Sequence, residues 1–169
     1  ISNIVVVDKK KKSPIKNLNY KYYILYKDFL KKLKSKSFLK NIEVVFHQGA
    51  NSSTVGKKLK KYIENNFLFT KILVDYSLKY NFKLIYASSA SVYGIKTKNF
   101  KEDLLPLSPA NNYGLSKALI DYYVLDIINK NKKAKIIGLR YFNVYGSNES
   151  HKKRMASVIY SIKKQIIKN

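Results

Sequence analysis

Lys83-Leu84-Ile85-Tyr86-Ala87, running directly into Ser88-Ser89-Ala90-Ser91-Val92-Tyr93-Gly94, decides the fold class of this chain. A short apolar run that opens into small polar residues and a glycine reads as a buried strand delivering its carboxyl end to a polar edge. The same grammar recurs on both sides. Ile4 to Val7 is ended by Asp8 and followed by the loop Lys9-Lys10-Lys11-Lys12-Ser13-Pro14; Val44-Val45-Phe46 opens into His47-Gln48-Gly49-Ala50. Lys135 to Leu139 leads into Arg140-Tyr141-Phe142-Asn143-Val144-Tyr145-Gly146. Between these runs the spacing predicts helices. One spans Lys27 to Leu39, carrying Phe29, Leu30, Leu33, Phe38 and Leu39. A long one spans Leu59 to Tyr80, with Tyr62, Ile63, Asn66, Phe69, Thr70, Leu73 and Val74 on one face. A third runs from about Asn112 to Asn129, behind a loop holding Pro106 and Pro109, and a last one begins near Met155. Strands alternating with helices of this length call for right-handed crossovers, hence an α/β fold with a doubly wound parallel sheet. Ligands of such sheets bind outside the carboxyl ends of the strands. Asp8 onward, Gln48 to Ser52, Ser88 to Ser91 and Asn143 onward all fall on that edge.

Composition bounds the function. The 169 residues carry 34 Lys plus Arg against 10 Asp plus Glu, a formal charge of +24, yet 46% are hydrophobic and 14% aromatic. That apolar content builds a core and excludes a disordered polybasic tail. No apolar run reaches spanning length and the first residues lack signal-peptide order, so the expected location is cytoplasmic, with no membrane partner. With no cysteine there is no disulfide framework or thiolate chemistry, and two histidines, His47 and His151, are too few for a His-based metal site. The charge suggests nucleic acid, but only two of the basic residues are arginine, Arg140 and Arg154, whereas base and phosphate readout favours the arginine fork. Lysine is spread along the chain among Asn, Ile, Tyr and Phe, residues that share A- and T-rich codons. No nucleic-acid partner is expected; the competing reading is a noncatalytic basic protein whose binding falls steeply with salt.

Tyr113 and Lys117 lie four apart on a predicted helix and so share a face. The spacing alone carries little, because Tyr23 with Lys27 and Tyr160 with Lys164 repeat it. Context separates the middle pair: it alone follows the strand ending in SSASVYG, and it alone sits in Asn111-Asn112-Tyr113-Gly114-Leu115-Ser116-Lys117.

With YASSASVYG (Tyr86 to Gly94), NNYGLSK, RYFNVYG, VVFHQGANSST (Val44 to Thr54) and HKKRMASV (His151 to Val158), the chain resembles the extended short-chain dehydrogenase/reductases that modify nucleotide sugars. Within that group it is most similar to the branch that inverts C6 of ADP-L-glycero-D-manno-heptose for lipopolysaccharide core supply. The resemblance implies a Rossmann-like dinucleotide domain and an epimerase of a nucleotide sugar. Family dehydratases carry an acidic pair after the catalytic Ser or Thr; here Ala90 and Ser91 stand there, so elimination lacks its acid.

The chemistry fits these residues. Inverting an unactivated carbinol requires removing a hydride, which a nicotinamide accepts and returns to the opposite face. A phenol of ordinary pKa near ~10 is a poor base at neutral pH unless a cation stabilises its phenolate. The resemblance makes Tyr113 that base, Lys117 its cation and a ribose contact, Ser89 the hydrogen-bond partner of the reacting oxygen, and Lys152 the second proton carrier. It places Asp8, Lys9, Lys11, Gln48, Gly49, Ala50, Asn51, Ser52, Asn65, Val144 and Lys152 at the cofactor, and Ser89, Asn143 and Arg154 at the substrate. An acid at Asp8 suits the ribose hydroxyls of NAD, and the basic loop after it suits the extra phosphate of NADP, which the resemblance favours. Gln48 replaces an acidic residue, Lys153 a glycine, and Arg154 and Ser161 a serine and a histidine. Full-length members are expected to be homo-oligomers. A 4-epimerase or reductase acting on another nucleotide sugar keeps the same Ser, Tyr and Lys.

The glycine-rich turn that marks dinucleotide folds is not among the six glycines, at 49, 56, 94, 114, 138 and 146. The resemblance therefore implies a partial dinucleotide domain over residues 1–169 that lacks the first strand and glycine loop, with 143–169 leading toward a largely missing substrate domain. A sheet without its central strand exposes two edges, so the fragment is expected to be inactive alone.

Overall fold

In a computed structural model, residues 3–9, 20–95, 100–147, 149–150, 152 and 156–168 are described. Lys11 and Arg154 lie outside the described residues. Strand β1 (Val5–Asp8) pairs in parallel with β2 (Tyr22–Leu25), in register Val5 to Tyr22. Two short helices follow, α1 (Tyr26–Lys32) and α2 (Lys36–Lys40), where the hydrophobic spacing predicts one. The break falls at Leu33 to Ser35. Ser35 has extended backbone and its hydroxyl accepts from Phe38 N at 3.4 Å, capping the second helix instead of continuing the first.

Strand β3 (Val44–His47) pairs in parallel with β4 (Lys83–Ser89), which pairs in parallel with β5 (Ile136–Tyr141). The crossover from β3 to β4 is one helical stretch, but not one α-helix: α3 (Leu59–Tyr62) passes through a π turn at Ile63–Leu68 into α4 (Phe69–Tyr80). It ends at Asn81, which takes the left-handed conformation at φ 58°. Helix α5 (Asn112–Lys130) returns from β4 to β5, and α6 (Val158–Lys168) follows, starting later than the residues near Met155 where the sequence places it.

The alternation is therefore the expected one, with every pair parallel, although the five strands form a two-stranded and a three-stranded sheet. Leu73 and Val74 of α4, Ile120 and Val124 of α5, and Leu84, Tyr86 and Ile136 of the sheet make one buried core, which Val7 and Ile24 of the first sheet join. Phe46 of β3 and Ile137 and Leu139 of β5 are exposed to solvent. Among the described residues no helix is long and apolar enough to cross a membrane.

Candidate functional site

Strand β4 outruns its neighbour. The β3 ladder stops at His47 opposite Tyr86, so Ala87, Ser88 and Ser89 project past β3 while staying paired to β5. The chain then turns through a single 3₁₀ turn, Ala90–Val92. Ser89 caps that turn: its Oγ accepts from Ser91 N at 3.2 Å and from Ser91 Oγ at 2.8 Å. Both bonds leave the proton of Ser89 to be donated elsewhere. Ser91 is spent on orienting Ser89.

Helix α5 begins against this turn. Asn111 has extended backbone and its side chain accepts from Gly114 N at 2.8 Å, fixing the first helical residue at Asn112. A Cβ on Gly114 would lie 2.7 Å from Ser91 O, so only glycine lets the start of the helix approach the turn after Ser89 this closely. One turn on, Lys117 is 2% exposed. Its Nζ donates to Ala87 O at 2.5 Å and lies 5.9 Å from the centre of the Tyr113 ring. Burial pulls the Lys117 ammonium down to about 8, against the opposing pull of Asp121.

On the other side of Lys117, His47 at the end of β3 bonds Thr70 Oγ1 at 3.0 Å and is pushed down to about 4, first by burial and then by the Lys117 charge. It stays neutral at physiological pH and leaves Lys117 as the cation of the site.

The loop after β3 is held from the π turn. Asn66, fully buried, accepts from Asn51 N at 2.8 Å, donates to Asn51 O at 3.0 Å and to Ser116 Oγ at 2.9 Å. One side chain thus fixes the Gln48 to Ser52 loop and ties it to the residue before Lys117. Gln48, Gly49 and Ala50 are exposed along it, and a Cβ at Gly49 would meet nothing within 4 Å. Asn65, next to Asn66, accepts from Lys9 Nζ at 2.9 Å, which draws the end of β1 with Asp8 to the same edge. Lys9 also lies over the Tyr26 ring at 5.4 Å.

Ser89, Tyr113, Lys117, the 48–52 loop, Asn65, Asp8 and Lys9 thus gather at the carboxyl ends of the strands. Asn143 and Val144 follow β5 on that edge as exposed residues. Lys152 is exposed and pairs with the buried Glu149 at 3.7 Å; among the described residues no hydrogen bond or ion pair joins it to Ser89, Tyr113 or Lys117. A hollow of about 350 Å³ lined by Lys40, Glu43, Lys83 and Lys135 lies at the opposite, amino ends of the strands.

The family model described as the NAD dependent epimerase/dehydratase family matches residues 2–169. The chain belongs to that family. Its similarity to solved members is consistent with this. It is 30% identical to the ADP-L-glycero-D-manno-heptose-6-epimerase of Helicobacter pylori, with a TM-score of 0.75, over 93% of this chain and 52% of that one. To the UDP-glucuronic acid 4-epimerase of Bacillus cereus, solved with NAD, it is 31% identical with a TM-score of 0.65, over 85% and 49% of the two chains. To the UDP-N-acetylglucosamine 4-epimerase of Methanobrevibacter ruminantium, solved with UDP-N-acetylmuramic acid, it is 27% identical with a TM-score of 0.72, over 92% and 52%. The chain spans about half the length of each of these family members.

Two residues central to this family member's site have no sequence signal as site residues. Asn66 reads only as one of several residues on a helix face; nothing in its spacing shows the π turn that aims it at the 48–52 loop. Asp121, buried beneath Lys117, looks in sequence like an ordinary helix-surface acid.

Proposed function

We propose that the protein is a nucleotide-sugar epimerase that inverts C6 of the heptose of ADP-glycero-manno-heptose by transient oxidation, for lipopolysaccharide core supply. The observation that carries an oxidative mechanism is the Lys117 ammonium, enclosed by protein, anchored on Ala87 O and seated under the Tyr113 ring. NADP, or NAD as in the solved Bacillus relative, supplies a hydride acceptor that can return the hydride.

The residues present suit a dinucleotide. The exposed Gln48 to Ser52 loop has open space over Gly49, and its backbone is fixed by Asn66. Asp8 ends β1 where ribose hydroxyls would be bound, and Lys9 beside it offers a cation for a 2′-phosphate. Lys11 follows two residues later in the sequence, in the same lysine run, and with Asn65 and Val144 it completes the cofactor contacts we assign.

Tyr113 accepts the sugar hydroxyl proton. The Lys117 charge holds negative charge on the Tyr113 oxygen before that proton arrives, in a setting where burial strengthens the interaction. Ser89 donates to the reacting sugar oxygen, as its bonds from Ser91 orient it to do. We assign the second proton transfer, on the opposite sugar face, to Lys152, and sugar contacts to Asn143 and Arg154. Residues 1–169 then form part of the dinucleotide-binding domain, with 143–169 leading into the sugar-binding part.

Inversion at C4 of a UDP-sugar is the second reading. It has support in the Bacillus and Methanobrevibacter 4-epimerases, which resemble the chain at nearly the same identity as the heptose enzyme. Incubating the complete enzyme with ADP-heptose and with UDP-sugars, and following C6 and C4 inversion by NMR, decides between them. C6 inversion of ADP-heptose alone is the expected result. A soluble enzyme working in the cytoplasm as a homo-oligomer fits this role, and lysines paired with acids on four separate helical segments (Asp28, Glu64, Asp75, Asp126) favour a solvated charge over a nucleic-acid face.

A further inference from the structure

We propose that Asp121 is a positioning residue, holding the Ala87 carbonyl under the Lys117 ammonium by pinning the two residues that flank it. The proposal rests on the role assigned to Lys117 above. One carboxylate does the pinning. Asp121 Oδ1 accepts from Tyr86 OH at 2.9 Å, and Oδ2 accepts from Ser88 Oγ at 2.9 Å and from Arg140 Nε at 3.0 Å. Tyr86 and Ser88 are the residues on either side of Ala87, and both face α5 because alternate strand residues share a face. The strand needs this hold because β3 has already ended opposite Tyr86, so Ala87 has no β3 neighbour to fix it.

The clamp reaches all the parts that set Lys117. Lys117 and Asp121 lie one turn apart on α5 and are 2% and 4% exposed, so the same helix face delivers the ammonium to Ala87 and the carboxylate to its neighbours. Gly138 of β5 leaves room for Tyr86, since a Cβ there would collide with the Tyr86 oxygen. Arg140 continues the network: its Nη1 donates to Tyr93 OH at 3.1 Å and to Glu102 O at 3.1 Å, bracing the segment after Ser89. Among the described residues no buried side-chain nitrogen or oxygen is left without a partner.

The charges around Lys117 are Asp121 and Tyr113 on its own helix, His47 from β3, Tyr86 from β4 and Arg140 from β5. Burial keeps His47 uncharged, lowering its pKa to about 4, and raises the Tyr86 phenol well above the usual range. Arg140 is itself bound to this carboxylate, through Oδ2. Asp121 is therefore the one negative charge in this group that supports the ammonium against burial.

The test uses the complete enzyme and reads Lys117 itself, by competitive acetylation at a series of pH values with peptide-resolved mass spectrometry. Asp121→Asn removes the charge, and Tyr86→Phe with Ser88→Ala removes the hold on Ala87 while keeping the Asp121–Arg140 pair. The double variant answers the question where Asp121→Asn does not fold. Each change should raise Lys117 acetylation at pH 7 by about fivefold, because lowering its pKa by one unit from about 8 takes the free-amine fraction there from roughly a tenth to about a half. The pH profile of kcat/KM should also shift, with KM little changed. Lys117 profiles unchanged from wild type would overturn the positioning role, whatever the turnover. Shifted profiles in an enzyme that epimerises no nucleotide sugar would support it while removing the proposed function.

Discussion

Asn66 Nδ2 stands 2.9 Å from Ser116 Oγ, so the loop that we assign to the cofactor and the helix that carries Tyr113 and Lys117 share a single buried side chain. Asn66→Ala would strand Asn51 N and O as well as freeing Ser116. Unsatisfied buried groups cost ~1–3 kcal/mol each, but Asn51 is only half-buried and water recovers part of that cost, so a loss on the order of 2 kcal/mol in unfolding free energy is expected. Dinucleotide affinity should fall with it. Urea unfolding and a cofactor titration measure the two, and a change under about 0.5 kcal/mol, the range of ordinary surface substitutions, would contradict the clamp.

Lys117 should trade stability for catalysis. Its folded pKa of about 8 lies below the ordinary lysine value, so between the two the unfolded chain binds more protons and stability rises with pH. At pH 7 the buried charge is a cost. Lys117→Met should abolish turnover yet raise unfolding free energy at pH 7 by on the order of 1 kcal/mol, less than the full shift because Ala87 O loses its donor. The gain should shrink as pH approaches 10, which thermal melts across that range would show.

His47 predicts the acid side of the stability profile. Its pKa is lowered from 6.5 to about 4, so the folded chain takes up the proton later than the unfolded one, and stability falls as pH drops from 6.5 toward 4. The shift corresponds to about 3 kcal/mol. His47→Gln should flatten that part of the curve and leave stability above pH 7 less affected.

Lys9 tests cofactor choice. Its Nζ, held by Asn65, is a described cation beside the end of β1. Lys9→Ala should weaken NADP about tenfold, the worth of roughly one charge-assisted contact, while NAD changes little. Equal losses for both would remove Lys9 from the 2′-phosphate.

Much of the fold and of the site is legible in the sequence. Repeated apolar runs ending in small polar residues mark β1, β3, β4 and β5, because such runs make sense only as strands meeting a common edge. Strand β2 is not marked, since Tyr22–Leu25 follows a lysine-rich stretch and has no terminating small residues to set it off. The crossover helix is readable from its spacing, but the π turn at Ile63–Leu68 is invisible: one extra residue per turn barely disturbs a hydrophobic stripe, yet it re-aims Asn65 and Asn66. Asp121 is hidden for a different reason. A lysine followed four residues later by an aspartate also occurs at Lys71 and Asp75, a half-exposed pair on α4. Only packing distinguishes that solvated pair from the buried clamp at Lys117.

The central claim is oxidation and return of hydride with Tyr113 as the base, and one measurement addresses it most directly. The complete enzyme is incubated with ADP-glycero-manno-heptose in D₂O, as wild type and as Tyr113→Phe, and the heptose is followed by NMR. The account predicts C6 inversion by the wild type with no deuterium at C6, and a rate lowered by a factor on the order of 10²–10⁴ in the variant. Deuterium at C6, or a Tyr113→Phe enzyme turning over at the wild-type rate, would contradict it.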